Sequence, residues 1–147
     1  RGRRLGYLRG DHESVQSCVR LLSRQARRGS IVVWFSDLLE LDEQDVRAVV
    51  SLASGARALV VVQVLDPRER DLSFRGTVRL RSIEGRALVS TDADAVRASY
   101  LQKLEELTGR SERAVESEGG RLVRACTSDD PVQVVRSVLE AIAGARR

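Results

Sequence analysis

The sequence predicts an α/β fold three layers deep, with helices on both faces of a small, mostly parallel sheet. Two apolar runs, "IVVWF" (31–35) and "ALVVVQVLD" (58–66), are short and nearly continuous, the pattern of strands covered on both faces. Stretches with apolar residues at helical spacing alternate with these runs, and right-handed crossovers then place helices on both sides of the sheet. A third segment, Thr77 to Ser90, alternates instead and reads as a β-hairpin inserted into the plain α/β order.

The elements follow in chain order. From Ser14 to Arg28, the residues Val15, Cys18, Val19, Leu22 and Ala26 mark an amphipathic helix that Gly29 ends. The strand "IVVWF" comes next. Asp42 is placed to cap a helix whose Val46, Val49, Val50 and Ala53 form one stripe, closed by Gly55. After the strand "ALVVVQVLD", Pro67 fixes a turn in "DPRERD". The hairpin pairs Thr77–Ser82 with Arg86–Ser90 around a turn at Gly85. Thr91 is the expected cap of a long helix carrying Val96, Tyr100, Leu104 and Leu107, which runs past Gly109 toward Glu118 until Gly119 and Gly120 break it. Arg121 to Cys126 is the third core strand. "SDDP" opens the last helix with Asp130 as cap and Pro131 in its first turn, and Val135, Val138, Leu139 and Ile142 form the expected inward face.

A chain of 147 residues, 42% hydrophobic, suits one globular domain over 1–147. No apolar run approaches the ~20 residues that span a bilayer, and "RGRRLGYLRG" lacks the apolar core of a signal peptide, so a cytoplasmic location is expected. Cys18 and Cys126 are far apart in sequence, and with His12 as the only histidine there is no zinc-type cluster. The charge of +4 arises from 25 basic against 21 acidic residues, all the basic ones but Lys103 being arginine. These arginines are interspersed with acids, and Trp34, two tyrosines and two phenylalanines offer little stacking surface, so a mixed-charge solvated surface is expected in preference to a nucleic-acid interface. The chain contains no methionine, which suggests a piece of a longer or processed protein. "SGARA" and "EGGRL" lack the lysine and spacing of a phosphate loop, which argues against nucleotide hydrolysis.

"SDLLE", "VLDPRERDL", "GTVRLRSIEGR", "RASYLQKLEEL" and "RLVRACTSDDPVQVVRSVLEAI" occur in an order that resembles the C-terminal part of a bacterial family, the one numbered fifty-eight among domains of unknown function. The resemblance runs from about Ser14 to Ile142. It implies a Rossmann-like von Willebrand factor A-type fold, present here without its first strand, and a non-enzymatic partner or adaptor of a MoxR-type AAA+ ATPase in chaperone-like or assembly work. It also leaves room for a membrane-anchored parent protein. In that fold a metal-ion-dependent adhesion site lies at the carboxyl ends of the strands. Asp37 of "FSD" matches its aspartate. Glu13 stands where its threonine is expected, and its Asp-x-Ser-x-Ser loop has no counterpart in the sequence. The resemblance thus implies Mg²⁺ or Mn²⁺ at most as a contributor, held by Asp37 and Glu13.

Independently of the resemblance, ligands of open α/β sheets bind outside the carboxyl ends of the strands, which makes Asp37 a candidate ligand, or else the residue that caps the turn there. Asp11, His12 and Glu13 either cap the first helix or lie so that Asp11 or Glu13 faces Asp37, with His12 as a neighbour. Asp66, Arg68 and Glu69 lie on the same rim, and the hairpin exposes Arg79, Arg81 and Arg86; these six residues form the candidate protein-binding surface. Two other readings stand beside the adaptor: a metal-dependent hydrolase using Asp11, Glu13 and Asp37, and an arginine-driven nucleic-acid binder. The strand "IVVWF" has one side with no neighbour in the predicted order, so self-association through a strand edge is expected.

Overall fold

A computed structural model describes residues 15–25, 29–81 and 88–145. Within them the order is α1 (Val15–Gln25), β1 (Ile31–Ser36), α2 (Glu43–Ser51), β2 (Ala58–Leu65), α3 (Pro67–Asp71), β3 (Thr77–Arg81), β4 (Leu88–Asp92), α4 (Ala93–Ser117), β5 (Arg121–Cys126) and α5 (Pro131–Gly144). Strands β1, β2 and β5 form a parallel sheet in the order β1-β2-β5, and β3 and β4 form a separate antiparallel pair. The architecture is therefore mixed α/β with a mostly parallel sheet and a hairpin.

The central strand sets the layers. Leu59 and Val61 share one core with Val19 of α1, Val49 and Val50 of α2 and Val115 of α4. Because side chains alternate along a strand, Val60 and Val62 point to the opposite face, where they too are fully buried. α5 packs on β5 and β2 without entering the first core, so it covers this second face. Helices on both sides follow from strand sequences that are apolar in both registers.

The chain turns where the sequence demands it. Gly29 adopts φ +82° before β1, a conformation that suits a residue without Cβ. Gly120 is fixed by crowding: a Cβ there would lie 2.8 Å from Val115 Cγ1 and 3.2 Å from the Leu59 carbonyl oxygen. Asp42 caps α2 by accepting from the N–H groups of Gln44 and Asp45, and Asp130 caps α5 through Val132 N–H.

Four expectations are corrected. The β4 strand extends past the expected end at Ser90 to Asp92, while Ser82, the turn at Gly85 and the expected strand start at Arg86 lie outside the described residues. Thr91 does not cap α4, because the helix begins at Ala93 and the residue next to it is Asp92, which caps by accepting from the N–H groups of Asp94 and Ala95. β1 is an edge strand and is covered on one face only: Val32 is buried, whereas Ile31 and Phe35 are 48% and 63% exposed. In α5, Val138 and Ile142 are half-buried against the sheet, but Val135 and Leu139 are 57% and 60% exposed, since α5 rests over β5 and β2 and leaves that flank uncovered.

Candidate functional site

The parallel register aligns the carboxyl ends of the three strands. Ser36 lies opposite Gln63, and Leu65 opposite Cys126, so Asp37, Asp66 and Thr127 all leave the sheet along one rim. Thr127 is drawn to the β2 end twice: its N–H donates to the Leu65 carbonyl at 2.9 Å and its hydroxyl to Asp66 Oδ2 at 3.4 Å.

Asp37 works as a turn residue. Its Oδ1 accepts from Leu39 N–H at 3.0 Å, while Ser36 Oγ accepts from Leu38 N–H at 3.1 Å. Leu38 takes φ +66° with its side chain buried, a conformation uncommon for a bulky residue and tolerated because the apolar core holds it. The Asp37 carbonyl accepts a hydrogen bond from Gln63 Nε2 at 3.2 Å. Asp37 Oδ2 accepts no hydrogen bond from a described residue, and the side chain is exposed, so the carboxylate retains a free ligand atom. Asp11, His12 and Glu13 lie outside the described residues. Among the described residues no three His, Cys, Asp or Glu side chains converge as a metal group.

Asp66, Arg68 and Glu69 are brought together by the one-turn helix α3. Asp66 accepts from Arg68 N–H, the Glu69 carboxylate accepts from Asp66 N–H, and Pro67 occupies the first turn, a capping box written in "DPRE". Tyr100 of α4 donates its hydroxyl to the Glu69 carbonyl at 2.7 Å. Burial, with the nearby Glu69 carboxylate adding to it, raises the Tyr100 hydroxyl above its ordinary pKa and keeps this donor protonated. Arg68 lies over the Phe74 ring, 5.9 Å from its centroid.

The link between this turn and the hairpin is also supplied by α4. Arg97 donates from Nε to the Leu72 carbonyl at 3.1 Å and from a terminal nitrogen to the Phe74 carbonyl, and it pairs with Asp94 at 2.9 Å. Asp94 accepts from Gly76 N–H at 2.7 Å, and this bond, followed by that from Arg97, holds its carboxyl below the usual range. The base of β3 is thereby fixed to the first turn of α4. Arg79 is exposed on β3 opposite Ser90, and Arg81 stands at the register position opposite Leu88. Arg86 lies outside the described residues.

A cavity of about 460 Å³ opens beneath the rim, between α4 and the ends of β2 and β5. Its depth is marked by the buried pair Gln63 and Thr108 and its mouth by Arg70, Glu105, Arg124 and Asp129. Arg124 is held by both oxygens of Glu105 and by Glu112, which keep its guanidinium firmly charged, and Arg70 is locked in a fork with Asp71. The cavity mouth is thus ion-paired. Sequence reasoning missed Gln63, although one polar residue in the run "ALVVVQVL" was a visible signal. It also missed the bracing residues Arg97 and Thr108, which nothing in the sequence distinguishes from other polar helix positions.

No helix among the described residues is long and apolar enough to cross a membrane. No curated protein matches the chain. A solved structure, that of an uncharacterized membrane spanning protein from Vibrio fischeri, is similar at 14% identity with a TM-score of 0.35, covering 84% of this chain and 52% of that one. The chain thus spans about half the length of that protein. A family model described as "Protein of unknown function DUF58" matches residues 9–109, more than half of the sequence, and the chain belongs to that family.

Proposed function

We propose that this chain is a non-enzymatic, von Willebrand A-like interaction domain. It docks a protein partner on the strand-end rim and the adjoining hairpin, with a divalent cation at Asp37 at most contributing. The observation that supports this reading most is the rigid mounting of exposed charges. Arg68 and Glu69 stand on a capped turn that Tyr100 and Arg97 of α4 tie down, and the same helix fixes the base of the strand carrying Arg79. Charges held in place before binding lose little entropy on complex formation.

The partner is a MoxR-type AAA+ ATPase, as the family resemblance implies, and the setting is the cytoplasm. Co-elution of the purified chain with such an ATPase from the same genome tests the reading. A complex is expected for the native chain, with loss of co-elution in Arg68→Glu/Arg79→Glu. Absence of any complex would remove the partner assignment.

A further inference from the structure

Strands β3 and β4 make a two-stranded ribbon, and among the described residues no third strand pairs with either of its edges. A lone ribbon of this kind is marginal in water, and a third strand or a covering helix stabilises it. The register fixes which backbone groups face outward. Thr77 stands opposite Asp92, and one step beyond that pair the Ala93 N–H donates to the Gly76 carbonyl at 2.9 Å. Antiparallel ladders alternate between residue pairs that exchange hydrogen bonds and pairs that do not. Val78 and Leu80 therefore bond to β4, and the N–H and C=O groups of Thr77, Arg79 and Arg81 point away from it. The two edges also differ in charge. β4 presents Leu88, Ser90 and Asp92 at the corresponding positions, and the Asp92 carboxylate is taken up by the N–H groups of Asp94 and Ala95. β3 presents Arg79, which is exposed and makes no side-chain hydrogen bond or ion pair with any described residue. Over 77–92 three arginines stand against Glu84 and the engaged Asp92, so the hairpin carries an excess of positive charge.

We infer that the open edge of β3 takes an extended segment of a protein partner as a third strand, with an acidic residue of that segment beside Arg79. In this mode main-chain hydrogen bonds, here to residues 77, 79 and 81, give the affinity, and the side chain opposite Arg79 gives the selectivity. Charge picks the occupant. A second copy laid antiparallel over all five residues of β3 sets Arg79 against Arg79, which is destabilising, whereas an acidic residue there forms a cross-strand ion pair. The edge is also prepared in advance: Asp94 holds Gly76 N–H and Arg97 holds the Leu72 and Phe74 carbonyls, so β3 leaves a base fixed to α4. This inference rests on the adaptor reading and specifies how the partner engages the hairpin.

The test is a titration of the isotopically labelled full chain, followed by amide resonances and their hydrogen exchange, with two acetylated octapeptides. One alternates valine with glutamate, the other valine with lysine. The glutamate peptide is expected to bind and to slow exchange at the amides of Thr77, Arg79 and Arg81, while those of Leu88 and Ser90 stay as they were. Arg79→Glu is expected to weaken that peptide about fivefold and to strengthen the lysine peptide by a similar factor. A glutamate peptide N-methylated at alternate residues, which loses its donors to the edge, is expected not to bind. No binding of the glutamate peptide, equal binding of the two, protection on β4 instead of β3, or an unchanged affinity in Arg79→Glu would overturn the inference. Arg79 is exposed, so an unaltered melting curve separates lost binding from lost folding. If the ATPase binds the native chain and Arg68→Glu/Arg79→Glu disrupts that complex, failure of the peptides removes strand addition alone. Peptide binding without an ATPase complex would keep the edge and remove that partner.

Discussion

Gln63 on the central strand and Thr108 on α4 form a buried polar pair, each 2% exposed, with the amide nitrogen 3.1 Å from the hydroxyl oxygen. Gln63 Nε2 also lies 3.2 Å from the Asp37 carbonyl, so one side chain joins the β1 turn, the β2 strand and α4. Both partners are withdrawn from water, and removing one leaves the other without its bond. Thr108→Val is therefore expected to cost about 1–3 kcal/mol, while Gln63→Leu/Thr108→Val is expected to cost less than the sum of the two single substitutions. Urea denaturation of the four proteins measures both.

Asp94 supplies a pH-dependent clamp between the hairpin and α4. Its folded pKa is lowered, first by the Gly76 N–H bond and then by Arg97, so the ionised form is favoured in the folded state. The stability this contributes is present above the unfolded carboxyl value of about 4 and is lost as pH falls through the lower folded value. Asp94→Asn is expected to melt below the native chain at pH 7 and to approach it below about pH 4. A difference that persists unchanged into acid would assign the effect to something other than this ionisation.

The Asp37 turn separates two roles by measurement. As the acceptor from Leu39 N–H, Asp37 contributes to the fold, and Asp37→Ala is expected to lower stability by about 1 kcal/mol without any metal present. A cation bound only by the folded state would also raise the thermal midpoint. Millimolar Mg²⁺ or Mn²⁺ raising the midpoint of the native chain but not of Asp37→Ala would establish a metal ligand at this position. With metal only contributory to the proposed function, partner binding is expected to survive chelation.

The face of the sheet that α5 leaves open predicts self-association. Ile31 and Phe35 lie on the same side as Val132, Val135 and Leu139, and together their exposed surface amounts to roughly 500 Å², toward the upper end of the largest apolar patch of a typical monomer, where such patches are often functional. Two copies covering this surface would bury on the order of 1,000 Å² in total, near the lower bound of a specific interface. Sedimentation velocity is expected to show a concentration-dependent dimer that Phe35→Asp/Leu139→Asp converts to monomer. A native chain that stays monomeric at high concentration would contradict this.

The sequence was legible where the signal is local. The caps Asp42 and Asp130 and the strand Ala58–Leu65 each depend on neighbours within a few residues. The cap of α4 was not, because "TDAD" offers two adjacent capping residues and the choice depends on where β4 ends and the helix begins, at Ala93. Nor was the exposure of Phe35, Val135 and Leu139: periodicity identifies an apolar stripe but does not reveal which neighbour covers it. At the site, "DPRE" predicted the Asp66 turn, whereas its anchoring by Tyr100, 31 residues away, is a tertiary relation that no local pattern carries.

The adaptor reading is tested most directly by isothermal titration of a MoxR-type AAA+ ATPase from the same genome with the native chain and with Arg68→Glu/Arg79→Glu. Saturable binding is expected, weakened by the double substitution about 100-fold, some 2.7 kcal/mol, at unchanged thermal stability. Equal affinity for both proteins would contradict the placement of the interface on the rim and hairpin, and no heat of binding with either would contradict the partnership itself.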